Sequence, residues 1–250
     1  MNVKNIKSFI EFYRFLGITD CISQVPRNLK GSNSFMSKNK YKEDEISKTD
    51  LKKNSKIDSL NNLKSELKNI DCNLKEIATN LVFSDGNHNS NIMIIGEAPG
   101  AKEDIAGKPF VGDAGKLLDK MLAYINLSRK NFYISNMIFW RPPGNRTPNE
   151  EEISTCLPIT KKHISIIKPK LLIFVGSIAA KNLLNTKDGI TKIRGNRHFY
   201  KDDEYNLKIH ARAIFHPAYL MRNPIEKKRT WEDLLEIDEF IVSNKILDNE

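Results

Sequence analysis

Residues 91–100 read NIMIIGEAPG, an apolar run that breaks without transition into a loop of glycine, proline and a carboxylate. A short apolar run stopped by glycine reads as a buried strand. Three more runs of this kind follow, at residues 132–139 (FYISNMIF), 171–175 (LLIFV) and 209–215 (IHARAIF). Between them, residues 114–124 and 150–167 carry apolar positions at helical spacing. Apolar strands separated by helices predict an α/β fold, a central parallel sheet flanked by helices. In such folds ligands are met at the carboxyl ends of the strands. The most unusual local sequences stand there: GEAPG after the first run, RPPGNRTP after the second and HPAYLMR after the fourth.

Composition narrows the class. Among 250 residues 40% are hydrophobic, enough for a core, and no run approaches the roughly 18 apolar residues of a membrane span. The amino-terminal sequence mixes charge into its apolar stretch and has no signal-peptide pattern, so a cytoplasmic location and no membrane partner are expected. The net charge of +9 invites a polyanionic partner. Residues 1–56 hold 12 Lys/Arg against 6 Asp/Glu and the rest 28 against 25, so any DNA groove in the body must be made by local placement. Three cysteines without paired spacing, Cys21, Cys72 and Cys156, argue against a disulfide framework.

The chain divides into three parts. Residues 1–23 carry a helical apolar face (Ile6, Phe9, Ile10, Tyr13, Leu16) that Gly17 would end. Residues 24–56 are polar and charge-rich and read as a mobile linker, either a solvated spacer or a DNA-tethering arm. Residues 57–250 form the main domain.

The segment at residues 96–115, GEAPGAKEDIAGKPFVGDAG, holds five glycines and two prolines, so its backbone approaches something closely. It is not a phosphate loop, because Gly107-Lys108 runs into Pro109 where a Walker motif needs Ser or Thr. Glu97 and Glu103 offer carboxylates and Phe110 a flat face; their bland readings are solvated glutamates and a core aromatic. Asn136 lies inside an apolar strand, where an amide must find partners or cost stability. Arg141 and Arg146 bracket the Gly144-Asn145 turn and could meet phosphates or simply be solvated. His216, fixed between a strand end and Pro217, could be aimed at a site. Leu220 and Met221 lie on an expected loop, either packed on the body or serving as a wedge into a base stack.

Together GEAPG…ED…G.PFVG.AG.LL, N….RPP.NR.P…E and HPA.L.R.P resemble, in order, the signature motifs of the family-four uracil-DNA glycosylases. With a weaker match around Cys72, the resemblance covers about three-fifths of the chain. It implies a four-stranded parallel sheet and a monofunctional glycosylase, acting as a monomer on uracil-containing DNA. It also implies roles. Phe110 stacks on the flipped uracil, Asn136 reads its edge, and Glu97, Ala98, Pro99 and Glu103 flank the pocket. His216 stabilises charge on the departing base, and Asn145 couples to Glu97. Leu220, Met221 and Arg222 enter the duplex; Arg141 and Arg146 are expected to contact DNA from their place beside the turn, not from the resemblance. Glu97 and Asn145, then Asp113, are candidates for holding the attacking water.

One departure concerns the cofactor. The resemblance implies an iron–sulfur cluster on four cysteines. Cys72 and Cys156 match the second and third ligands, Asn69 stands at the first, and no cysteine follows Cys156. Two thiolates do not hold a four-iron cluster, so no metal is expected and packing should fill its place. The cross-linking relatives carry a histidine-containing basic insertion near GNRTP that this chain lacks. The runner-up reading is a binding protein that kept the pocket and lost turnover with the cluster. Glu97, Phe110, Asn136, Asn145 and His216 speak against it.

Overall fold

The computed structural model describes residues 49–247. The helical segment expected over residues 1–23, and the linker as far as residue 48, lie outside the described residues. The helices are α1 (Thr49–Asn69), α2 (Asn73–Ile77), α3 (Ala101–Ala106), α4 (Asp113–Ala123), α5 (Glu150–Ile167), α6 (Ser177–Leu183), α7 (Ile190–Ile193), α8 (Pro217–Arg222) and α9 (Lys227–Ser243). The strands are β1 (Ser84–Gly86), β2 (Ile92–Gly96), β3 (Tyr133–Asn136), β4 (Leu171–Val175), β5 (His198–Asp202) and β6 (Leu207–Ile214).

The sheet order is β1-β3-β2-β4-β6-β5. Its four inner strands pair in parallel, as the apolar runs predict. Every residue of β2 and β4 is buried, because helices cover both faces, and this is why those strands read as unbroken apolar runs. The two edge strands, β1 and β5, are antiparallel and were not expected. β1 is three polar residues, and β5 buries only alternate side chains, so neither shows an apolar run. The run at residues 132–139 is shorter as a strand than expected: the ladder ends at Asn136, and Met137 to Phe139 continue as buried irregular chain.

α1 begins at Thr49, so residues 49–56, at the end of the span read as linker, are helical. From Ser55 on, Leu60, Leu63 and Leu67 recur at three and four residues and bury one stripe, which holds this helix to the body. α5 spans the residues predicted for it. Asn149 caps it by accepting from Glu152 N at 2.8 Å, while the Glu152 carboxylate accepts from Asn149 N at 2.9 Å. Removing such a cap costs about 1 kcal/mol. α4 packs against α8, and this contact brings the loop after β2 and the loop after β6 together. Among the described residues no helix is long and apolar enough to cross a membrane.

Candidate active site

The loops after β2, β3 and β6 close around a cavity of about 470 Å³. That falls in the range of roughly 300–1,000 Å³ usual for ligand sites. Its wall includes Glu97, Ala98, Pro99, Glu103, Phe110, Asn136, Asn145, Arg146, His216 and Arg222, so most of the expected site residues meet in one place.

Close packing at Gly96 fixes the centre. A Cβ built there would lie 2.4 Å from Phe110 Cζ and 2.5 Å from Asn136 Oδ1. Only glycine lets the ring and the amide share this corner. Asn136 is buried, and its Oδ1 has no hydrogen-bond partner among the described residues. A buried carbonyl oxygen left unpaired costs about 1–3 kcal/mol, so a free acceptor facing a cavity marks a place for a donor. Phe110 holds a left-handed backbone with φ 57°, a conformation costing a bulky residue about 1–3 kcal/mol. Its carbonyl oxygen would lie 2.0 Å from a Cβ at residue 115, so Gly115 is needed for it to pass.

His216 lies between the end of β6 and Pro217, as read from the sequence, and caps α8: its Nδ1 accepts from Ala218 N at 3.2 Å. The remaining proton of a neutral ring therefore sits on Nε2. Burial pushes the imidazole pKa down to about 4, Arg222 adds to the fall, and Glu103 opposes it. The ring is a neutral donor at neutral pH. Its centroid is 6.1 Å from that of Phe110. A Cβ at residue 176 would come within 3.1 Å of His216 Cβ, so Gly176 after β4 leaves room for the histidine, a role no local pattern announced.

The carboxylates divide by environment. Burial raises the Glu97 carboxyl above its usual range. Glu103 accepts from Gly112 N at 2.6 Å and so closes the glycine-rich loop. Asp113 is corrected: it does not line the cavity but pairs with Lys102 at 2.9 Å in solvent, and Lys102 holds its carboxyl below the usual range. Its place in the exposed first turn of α4 directs it outward.

Three further expectations change. Among the described residues no hydrogen bond joins Asn145 to Glu97; Asn145 Oδ1 accepts from Arg141 Nε at 2.7 Å, which pins the turn while Asn145 still lines the cavity and Arg141 does not. Arg146 is gripped by both Glu152 oxygens at 2.9 and 2.6 Å, so much of its charge is neutralised by the cap of α5. Leu220 lies on a helical turn rather than a loop and is fully buried, because α8 turns it into the core; it cannot enter a duplex. Met221 stands 49% exposed, and Arg222 is exposed at the cavity rim. Thr147 and Tyr219 also line the cavity and were not singled out, although both lie within quoted motifs.

The family model described as Uracil DNA glycosylase superfamily matches residues 83–235. The chain belongs to this superfamily. Within it, the chain is similar to type-4 uracil-DNA glycosylases. One from Saccharolobus solfataricus is 41% identical over 184 residues, 71% of this chain and 84% of the relative. Those from Sulfurisphaera tokodaii and Archaeoglobus fulgidus are each 37% identical, over 195 and 172 residues, covering 76% and 67% of this chain and 88% and 85% of theirs. The superfamily match begins at Phe83 and ends on α9, so it takes in all three site loops.

The type-4 resemblance implies a four-cysteine cluster, which the residues present do not fit. The whole chain has three cysteines. Cys72 and Cys156 lie side by side in the apolar core with Leu67, Leu74, Phe139 and Trp140, and Asn69 is exposed at the end of α1. Burial, with the Cys72 sulfur beside it, pushes the Cys156 thiol up to about 12. Among the described residues no three His, Cys, Asp or Glu side chains gather as a metal site.

Proposed function

We propose that this chain is a monofunctional uracil-DNA glycosylase, which extrudes uracil from DNA and hydrolyses its N-glycosidic bond to leave an abasic site. The unpartnered Asn136 Oδ1 beside the Phe110 ring, in a cavity shared with His216, carries the reading. Uracil presents an N3–H donor and an O4 acceptor. An amide whose oxygen is free for N3–H and whose NH2 gives to O4 matches both. Cytosine, with an acceptor at N3 and a donor at N4, would set like against like. The flat face of Phe110 supports the base between the strand ends.

As the C1′–N1 bond breaks, its electron pair passes into the uracil ring and charge gathers on O2. A neutral His216 with its proton on Nε2 can donate there without transferring the proton, and a preorganised donor of this kind is worth about 10²–10³ in rate. Water adds its oxygen to C1′ and gives up a proton to solvent, and the released uracil anion takes one up from solvent, so the products are neutral uracil and the abasic sugar. Glu97 and Asn145, on the cavity wall, are the groups we assign to hold it. The buried Glu97 carboxylate would also favour the cationic sugar. We assign Arg222, at the cavity rim, and the exposed Met221 to the DNA flanking the extruded base, a reading their exposure supports. No step passes through a metal, and the protein acts as a monomer.

A single assay tests this. Purified protein is incubated with an oligonucleotide carrying one uracil, then treated with alkali. Strand scission at the uracil, and none at cytosine or thymine, is expected; an intact strand under single-turnover conditions would refute the activity.

A further inference from the structure

Arg129 lies outside the cavity, on the turn between α4 and β3, and nothing in its local sequence attracts notice. Its guanidinium is nevertheless bonded to the loop that carries Phe110. Nη2 donates to the Phe110 carbonyl at 2.9 Å and Nη1 to the Pro109 carbonyl at 3.3 Å. On its other edge, Nε donates to Asp119 Oδ1 at 3.0 Å and Nη1 to Asp85 Oδ2 at 3.3 Å. The cation also sits 5.7 Å from the centre of the Phe132 ring. Three places thus aim one half-buried fork: β1 through Asp85, α4 through Asp119, and the residue before β3, Phe132.

What the fork holds is a strained peptide. A phenylalanine at φ 57° needs a reason to stay there, because relaxing to an ordinary φ removes the strain. Relaxation would swing the Phe110 carbonyl away from Arg129 and break a charge-assisted bond. Gly115 opens the space that the carbonyl occupies, and Arg129 supplies the donor that keeps it there. The direction of the Phe110 ring follows from that backbone choice.

We propose that Arg129 is a positioning residue for base excision: through the Phe110 carbonyl it selects the left-handed backbone that presents the ring to the extruded base. This rests on Phe110 being the stacking platform. It also gives the short edge strand β1 a purpose, since Asp85 is one of the two carboxylates that orient the guanidinium.

The test is a double-mutant cycle on single-turnover uracil release, with DNA affinity and Tm measured alongside. Arg129→Lys keeps the charge near Asp85 and Asp119 but cannot bridge to both carbonyls. It should slow release by about tenfold to a hundredfold, the scale on which slight misplacement acts, with DNA affinity unchanged. Phe110→Ala should slow release by itself, and adding Arg129→Lys to it should then change nothing further, since coupled residues are non-additive. Arg129→Lys at the wild-type rate, or an equal slowing in both backgrounds, would overturn the role. Wild-type release by Phe110→Ala is a different result: the platform would fall and this role with it. Where Arg129→Lys does not fold, Asp119→Asn serves, because it leaves the donors and removes a carboxylate that aims them. It should give the same pattern in smaller measure, and an unaltered rate would equally overturn the proposal.

Discussion

The cleft at the strand ends and the cysteine corner between α2 and α5 descend from the same family pattern but have fared differently. In the cleft, polar groups stay unsatisfied and backbone stays strained: Asn136 Oδ1 lacks a partner and Phe110 keeps φ 57°. In the corner, two buried thiols pack among Leu74, Phe139 and Trp140 like any small apolar groups. A site that must recognise a base has to leave donors and acceptors open, at a cost in stability. A region that only holds elements together can leave its polar groups packed among apolar side chains. The difference separates what the chemistry needs from what the scaffold needs.

The largest effects should come from the cleft. His216→Ala should slow cleavage by about 10²–10³-fold, measured under single turnover, because one donor to the developing oxyanion is lost. DNA affinity should hardly move, since that bond strengthens mainly in the transition state. Unchanged cleavage would take His216 out of the mechanism. Asn136→Asp should lose most uracil release, because the donor to O4 is gone, and should release a trace of cytosine from mispaired sites. Full uracil activity in that variant would mean Asn136 does not read the base.

Gly96→Ala tests whether the two reading groups depend on one corner. The added methyl would meet Phe110 and Asn136 at impossible distances, so one or both must shift. Release should fall by about a hundredfold, with a stability loss of about 1–3 kcal/mol. A normal rate would show that the corner is looser than its geometry implies.

The corner should respond weakly. Cys156→Ala should leave the cleavage rate unaltered and lower stability by about 1 kcal/mol, read by urea denaturation. Protein purified without oxygen should carry no stoichiometric iron. About four irons per chain would break the comparison, since that is the content of the cluster the family pattern implies.

A slower test uses pH. Burial lowers the pKa of His163 to about 3 and of His216 to about 4, against 6.5 for an exposed imidazole. Both rings are neutral in the folded chain and take up protons on unfolding, so the unfolded state binds more protons below pH 6.5. Their contribution to stability is complete above about pH 6.5 and is lost as pH falls towards 4 and then 3. Tm measured across that window should decline, and His163→Gln should flatten the decline while leaving the rate above pH 6.5 without an inflection from His216.

Much of this was legible in residue order. Unbroken apolar runs gave β2 and β4, because burial on both faces leaves no alternation, and apolar residues at helical spacing gave α5. The three loops lay in the order of a family signature, which pointed to Glu97, Phe110, Asn136 and His216. Such signals are local, since period and turn chemistry act over a few residues. What depended on how side chains pair and pack in the folded chain was out of reach. Asp113 turned outward to Lys102, Arg146 was taken by Glu152, and Leu220 was carried into the core by a helical turn. β1 and β5 exist because neighbours pair with them, not because their residues favour strands. The sequence by itself determined the inner strands, the helices at α4 and α5, and which side chains could do chemistry. Only the tertiary structure decided which of those side chains remain free to do it, because pairing and burial are set by the folded arrangement and not by local pattern.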